Sequence, residues 1–309
     1  MTSTVIVGLG GFGGKRVADL YEHRKNMGNV EFLVIDGSDS DIRDRDFPKE
    51  NIWLVPGTDG AGKIRGAQAP VYEEFINQNY SRLPEADLYI LVYTVSGGTG
   101  SVMGPRLARN LTENDQNVIN AVMCTSGSHV DSKNTMNTMR GLGNHVKKLQ
   151  KPIFLSFFDQ EDHTLEQADL AVCDMVMELN QISSFENSGL DTSDIHSFFN
   201  YPIHGLPPQL TLVERFTDPE KLTEEYGRIL TTLSLSEDKH LPIPEVGAVF
   251  NTKGVTNFGL EGELHFVTST VNMGMLAKRL QERFDEHEKT RKSLASSSVF
   301  ESDADDMEY

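Results

Sequence analysis

Cysteine is nearly missing from these 309 residues. Cys124 and Cys173 cannot staple a disulfide scaffold, and each lies in an apolar stretch where a buried free thiol is expected. Long hydrophobic runs are also missing: the longest, residues 88–95, falls far short of the roughly 20 residues a bilayer span needs. No basic region precedes the short apolar stretch near Met1, so no secretory leader is read there. Base is in deficit. The 28 Lys and Arg against 46 Asp and Glu leave a formal charge of −18, which repels a phosphate backbone and argues against direct DNA binding. No internal repeat, zinc-ligand spacing or Gly-x-Ser-x-Gly nucleophile elbow occurs. What is present, 38% apolar and 24% charged residues, excludes collagen, coiled coil and global disorder. The expectation is a soluble, cytoplasmic globular chain with no membrane contact.

Apolar runs alternate with amphipathic patterns from the start. Strands are expected at 4–7, 31–35, 51–55, 88–92, 118–124 and 152–157, with helices at 11–25, 69–79, 100–111 and 134–149. That alternation predicts an α/β fold with a largely parallel sheet, and it puts each loop of interest at a strand's C-terminal end. A longer helix is expected over 162–185. Prolines 202, 207 and 208 then mark a change of character, after which strands at 209–216, 246–250 and 263–268 and a helix at 218–230 suggest a smaller α+β domain. Residues 269–294 form a long helical pattern with Met273, Leu276, Leu280 and Phe284 on one face and six basic residues elsewhere. The last nine residues, 301–309, carry five acids and no base, the composition of a disordered tail.

Glycine is concentrated early, at 8–14, at Gly37, at 57–62 and at 97–100. Bare backbone at strand ends beside helix N-termini offers unobstructed N–H donors to di- or triphosphate. One such loop is as readily a tight turn, but three at successive strand ends point to a nucleotide. Gly8-x-Gly10-x-x-Gly13 followed by Asp36 fits a dinucleotide fingerprint, which makes an NAD-dependent Rossmann oxidoreductase the alternative. No histidine sits in a setting suited to hydride transfer. A Walker A reading of Gly57 to Lys63 fails, because Ile64 stands where Mg²⁺ coordination requires Ser or Thr.

Ser96-Gly97-Gly98-Thr99-Gly100-Ser101 resembles the signature loop of the tubulin/FtsZ superfamily, with Val102 where that family has glycine. The other family loops arrive in order. Gly8, Gly10, Gly11, Phe12 and Gly13 resemble its first phosphate loop, Asp36 falls at the second, and Gly60, Ala61, Gly62 and Lys63 resemble the third, which senses the γ-phosphate. Asp169 matches the helix position that reads guanine. Asp191 and Asp194 match the two carboxylates of the catalytic loop, although Gly189 stands where asparagine is expected. Residues 125–134 lack the Glu and Arg of the bacterial cell-division homologues. Short length, the long C-terminal helix and the acidic tail look most like the phage-encoded tubulins of the PhuZ type.

The resemblance implies a Rossmann-like GTP-binding domain over 1–165, a core helix and catalytic loop over 166–200, an α+β domain over 201–268, a C-terminal helix over 269–300 and a tail at 301–309. Backbone amides and the Thr99 hydroxyl would wrap the phosphates of GTP or GDP, with Gly97, Gly98, Gly100 and Ser101 in the same loop. Asp191 and Asp194 follow a helix that leads away from the sheet, so a same-chain active site is awkward. The family resolves this by setting the loop of one subunit against the nucleotide of the next, with Mg²⁺ neutralising developing charge. The implied product is a head-to-tail homopolymer with the tail on the next subunit, positioning phage DNA or a phage replication compartment in an infected bacterium. Without the resemblance, Asp191 and Asp194 are equally an N-cap pair opening a short helix. A GTP-binding regulatory subunit without polymerisation is a third reading, which the intact Asp191/Asp194 pair opposes.

Overall fold

The computed structural model describes residues 4–23, 29–125, 127–160, 164–183, 189–238, 240, 243–256 and 263–296. The expected tail, and the first and last residues of the helix expected at 162–185, lie outside them.

The first half alternates strand and helix as its hydrophobic pattern requires: β1 (Thr4–Leu9), α1 (Gly10–Glu22), β2 (Val30–Asp36), β3 (Ile52–Leu54), α2 (Arg65–Asn79), β4 (Leu88–Thr94), α3 (Gly100–Glu113), β5 (Val118–Cys124), α4 (His129–Leu149) and β6 (Ile153–Asp159). After α5 (Leu165–Ile182) and α6 (Thr192–Phe199) come β7 (Leu210–Phe216), α7 (Pro219–Glu224), β8 (Thr231–Ser236), β9 (Phe250–Val255), β10 (Glu263–Ser269) and α8 (Val271–Ser296). All ten strands form one sheet in the order β3-β2-β1-β4-β5-β6-β7-β10-β8-β9. It is parallel from β3 to β7, antiparallel on both sides of β10, and parallel again between β8 and β9. β7 pairs with β6 across the expected boundary, so hydrogen bonding is continuous from one half to the other.

Because side chains alternate across a strand, the sheet has two cores. Ile6, Val34, Ile90 and Ile119 pack with Val17, Val172, Val176 and Leu179 of α1 and α5. Val5, Val7, Leu33 and Leu91 face the other way, toward Leu107, Leu142 and, from α8, Met273, Leu276 and Leu280. The apolar face expected on the last helix is therefore buried. One of its six basic residues also turns inward: Arg283 makes a two-point contact with buried Asp159 at 3.2 and 2.8 Å, and the exposed Arg279 approaches the same carboxylate at 3.5 Å.

Three sequence expectations are corrected in the second half. The helix expected over 218–230 stops at Glu224, and Gly227 beyond it has φ +78°. The strand expected at 246–250 begins only at Phe250, after Gly247 at φ +72° has broken the extended run. A strand at Thr231–Ser236 was not expected at all. Its Thr and Ser positions look solvent-facing in sequence, yet every residue is buried and the hydroxyls are satisfied across the sheet, Thr231 by Thr268 at 2.6 Å and Ser234 by His265 at 2.8 Å. Cys124 is the buried free thiol expected; Cys173 is free but only half-buried.

Candidate nucleotide site

The glycine loops meet at the C-terminal ends of β1, β2 and β4, around a cavity of about 380 Å³. Gly10, Gly11, Phe12, Asp36, Gly60, Ala61, Gly62, Lys63, Gly97, Gly98, Thr99 and Gly100 all line it. The loops touch one another directly. A Cβ on Gly10, which has φ +73°, would stand 2.7 Å from the Gly100 nitrogen, and one on Gly98 would stand 2.5 Å from the Ala61 methyl. Only glycine permits that approach at these two positions. Gly8 and Gly13 lie behind this wall, facing each other where α1 packs on the sheet. Ser101 is also behind it: fully buried, its hydroxyl donates to the Gly97 and Gly98 carbonyls at 2.6 and 3.0 Å and holds the loop's shape.

Asp36 is 5% exposed and accepts the Gly37 N–H at 2.6 Å. Burial pushes its carboxyl up to about 7, the Gly37 N–H opposes that, and Asp41 adds to it. A dinucleotide enzyme needs this carboxylate turned out to the ribose; here it is folded into its own loop.

Sequence reasoning did not single out Ser38, Ser40, Asp41, Asp59 or Thr94, which complete the lining. The alternation of Ser and Asp over 38–41 was the available signal. It also missed Asn134, for which no local motif exists. From α4 its amide donates to the carbonyls of Lys63, Ser96 and Gly97 at 3.0, 3.0 and 3.2 Å, tying the third loop to the signature loop. Lys63, itself at φ +62°, reaches the nearly buried Asp131 at 2.8 Å. No group of three or more His, Cys, Asp and Glu converges as a metal cage among the described residues.

Residues 3–154 match the Tubulin/FtsZ family, GTPase domain. This segment is a tubulin/FtsZ GTPase domain. The phage tubulin-like protein of Pseudomonas phage PhiPA3 is 24% identical over 265 residues, 82% of this chain and 83% of its own length. A protofilament of TubZ from bacteriophage PhiKZ superposes with a TM-score of 0.87 at 20% identity, over 94% of this chain and 93% of that one. The phage tubulin PhuZ with GDP gives 0.85 at 19%, over 95% and 93%. At those identities the structural likeness establishes the fold. The strand order β3-β2-β1-β4-β5-β6 is shared with dinucleotide-binding folds and does not discriminate by itself. The family match does, and the oxidoreductase alternative has no support.

The other residues that the sequence pattern puts in the site lie elsewhere. Asp169, on α5, lines a separate cavity of about 600 Å³ and is ion-paired to Arg16 of α1. Burial raises its carboxyl above the usual range, with Arg16 opposing. Asp191 and Asp194 line neither cavity; they open α6, on the far side of α5, with the preceding Gly189 and Leu190 beside Lys253 and Gly254 of β9. α5 is 18 residues, about 27 Å at 1.5 Å per residue, and ends where Ser183 bonds Thr4 at the start of β1. α6 follows there: His196, Phe199 and Asn200 share a cavity with Val118, Lys151 and Pro152, at the N-terminal ends of β5 and β6. The two carboxylates form a reciprocal capping box. Asp191 accepts from the Ser193 and Asp194 amides at 2.8 and 3.0 Å, and Asp194 accepts the Asp191 amide at 3.2 Å. The Ser193 hydroxyl, the Asp194 N–H and the Ser193 N–H hold Asp191 below the usual carboxylate range.

Proposed function

We propose that this chain assembles head to tail into filaments and hydrolyses GTP where two subunits meet, residues 189–194 of one closing the phosphate cavity of the next. The observation behind this reading is that neither Asp191 nor Asp194 lines the phosphate cavity at the C-terminal strand ends; the pair opens α6, whose other end shares a cavity with the N-terminal ends of β5 and β6. A chain that cannot bring its own carboxylates to its own phosphates can bring them to a neighbour's. Contact between two different surfaces is heterologous and does not close, so it propagates.

In the chemistry, amides of the three loops and the Thr99 hydroxyl hold the phosphates, and Asp169 reads guanine. The cap uses Oδ1 of Asp191 and Oδ2 of Asp194, so the second oxygen of each is left to orient and polarise the attacking water. N-capping and catalysis are compatible roles for the same pair. Mg²⁺ fits the cavity without a protein cage: Asp41 and Asp59 line it, and Mg²⁺ is commonly bound by one or two carboxylates with substrate phosphates supplying further oxygens. When bound it would neutralise charge developing on the phosphates.

The domain division at 165, 200, 268 and 300 belongs to this proposal, as does docking of the acidic tail on the next subunit. Arg279 and Arg283 are engaged by Asp159, so the tail's basic partners lie among the other basic residues of the helix. Among the described residues no helix is long and apolar enough to cross a membrane. By likeness to phage tubulins, the filaments would position phage DNA or a replication compartment in the cytoplasm of an infected bacterium, without the subunit itself binding DNA.

Light scattering and negative-stain microscopy of the pure protein with GTP, GDP, ATP and no nucleotide test the reading. GTP alone should give filaments, and phosphate release should rise steeply once a threshold concentration is passed. Release proportional to protein concentration with no polymer at any concentration overturns it.

A further inference from the structure

The start of α4 is gripped from two sides. On one edge, Asp131 holds Lys63 at 2.8 Å and the Asn134 amide holds the carbonyls of Lys63, Ser96 and Gly97. The N-cap Ser128 accepts the Asp131 N–H at 3.2 Å and donates to its Oδ2 at 2.9 Å, which leaves Oδ1 for the lysine. On the neighbouring edge, His129 and Ser132 turn to α8 instead. His129 Nε2 meets Glu288 Oε2 at 2.6 Å, and its ring stacks on Phe284 with centroids 6.1 Å apart. The buried Ser132 hydroxyl meets Nδ1 of His287 at 2.7 Å.

The grip from α8 is itself braced. Arg291 donates to both oxygens of Glu288, at 3.1 and 2.6 Å. Hydrogen bonds from Arg291 and then His129 hold that carboxyl down at about 2, so it is ionised at neutral pH and its contacts are charge-assisted. A single helical turn therefore has α8 on one side and two phosphate loops on the other.

We infer that His287 and Glu288 are positioning residues for the nucleotide, acting through the first turn of α4 on the two loops which that turn holds. A helix N-terminus that loses its outside partners opens locally, and here Asp131 and Asn134 would open with it. The loops would then be ordered by the nucleotide rather than in advance of it, and binding weakens. By linkage the effect runs both ways: nucleotide that orders the loops steadies α8 over residues 284–291 by the same factor.

Calorimetric affinity for GDP, which is not expected to drive assembly, tests this in the wild type and in Glu288→Ala, His287→Ala, Glu288→Gln and Met273→Ala, with the melting temperature of each. Glu288→Ala and His287→Ala should each weaken GDP by ~5-fold or more, the lower end of coupling between sites, and speed amide exchange at 57–66 and 96–101. Glu288→Gln keeps an acceptor for His129 and should recover part of the loss. Met273→Ala removes a buried side chain at the opposite end of α8; it should lower the melting temperature at least as much and leave GDP affinity within about twofold. GDP affinity that falls in Met273→Ala as it does in Glu288→Ala would give α8 a general stabilising role and overturn the inference. So would unchanged GDP affinity in folded Glu288→Ala and His287→Ala. In an Asn134→Ala background, Glu288→Ala should weaken GDP less than it does in the wild type, because the route is already broken. Full additivity there overturns the route through α4. In the wild type GDP should slow exchange at 284–291, and unaltered exchange contradicts the coupling.

Discussion

The two candidate sites are built differently. At the C-terminal ends of the strands, two loops distant in sequence are tied together by side chains from outside them: Asn134 bonds three carbonyls of the two, and Lys63 is held by Asp131. At the start of α6, the Asp191 and Asp194 carboxylates are held by their own helix N-terminus, Asp191 exposed and Asp194 half-buried. The first site is preorganised to hold a ligand without help. The second has its charges fixed in place by backbone amides, and the role proposed for them lies at the cavity of another copy.

The largest expected effect separates the two sites outright. Asp194→Ala should leave GTP binding unchanged and lower turnover by at least ~100-fold, the scale for losing a positioned electrostatic group. Asp191→Asn keeps a good N-cap and removes the charge, so it should be as slow as Asp191→Ala while lacking that variant's loss of about 1 kcal/mol of stability. Equal turnover in Asp191→Asn and wild type would leave the residue with its capping role only. Next in size, Gly98→Val forces a side chain into the Ala61 contact, where overpacking costs about 1–3 kcal/mol. GTP affinity should fall ~10-fold or more. A mixture of Gly98→Val with Asp194→Ala should regain turnover above either alone, because each supplies the part the other lacks; additive rates in the mixture would contradict a shared site.

A smaller loss is expected from Asn134→Ala. Its three carbonyl acceptors would lose their donor, about 1–3 kcal/mol for buried groups left unmet. Fluorescent-nucleotide titration should show weaker GTP binding, with amide exchange faster in the 57–66 and 96–101 loops and unaltered at 189–194. Exchange rising equally at both sites would mean that Asn134 stabilises the fold at large.

The smallest effect reports on α4 toward its C-terminal end. Burial, then Arg109, Arg106 and Lys148, depress His145 from its ordinary 6.5 to about 4. Between those values the unfolded chain takes up a proton that the folded chain refuses, so stability present above pH 6.5 is lost as pH falls toward 4. His145→Gln should flatten that part of the curve of melting temperature against pH. An unchanged slope would assign the acid sensitivity to other groups.

The first half was legible because its information is local. Each glycine run is contiguous, each follows an apolar strand, and the strand-helix alternation needs nothing from afar. The second half was harder because Thr231–Ser236 is buried through partners on other strands, and hydroxyls satisfied by distant Thr268 and His265 leave no local mark. Residues 246–249 misled in the opposite sense: they are apolar enough for a strand, but Gly247 turns the chain before pairing begins.

By itself the sequence determined the parallel α/β core, the three glycine loops, the helical apolar face of Met273, Leu276, Leu280 and Phe284, and the class of ligand, since these depend on periodicity and on backbone left bare by glycine. Only the tertiary structure decided which loop residues face the cavity and which, like Ser101, brace it from behind. It also decided that Asn134 ties two loops, that Arg16 pairs with Asp169, and that Asp191 and Asp194 lie outside the lining of the glycine-loop cavity. Those are facts about residues distant in the chain brought within hydrogen-bond reach, or kept out of a shared cavity, and short-range sequence spacing carries no record of either.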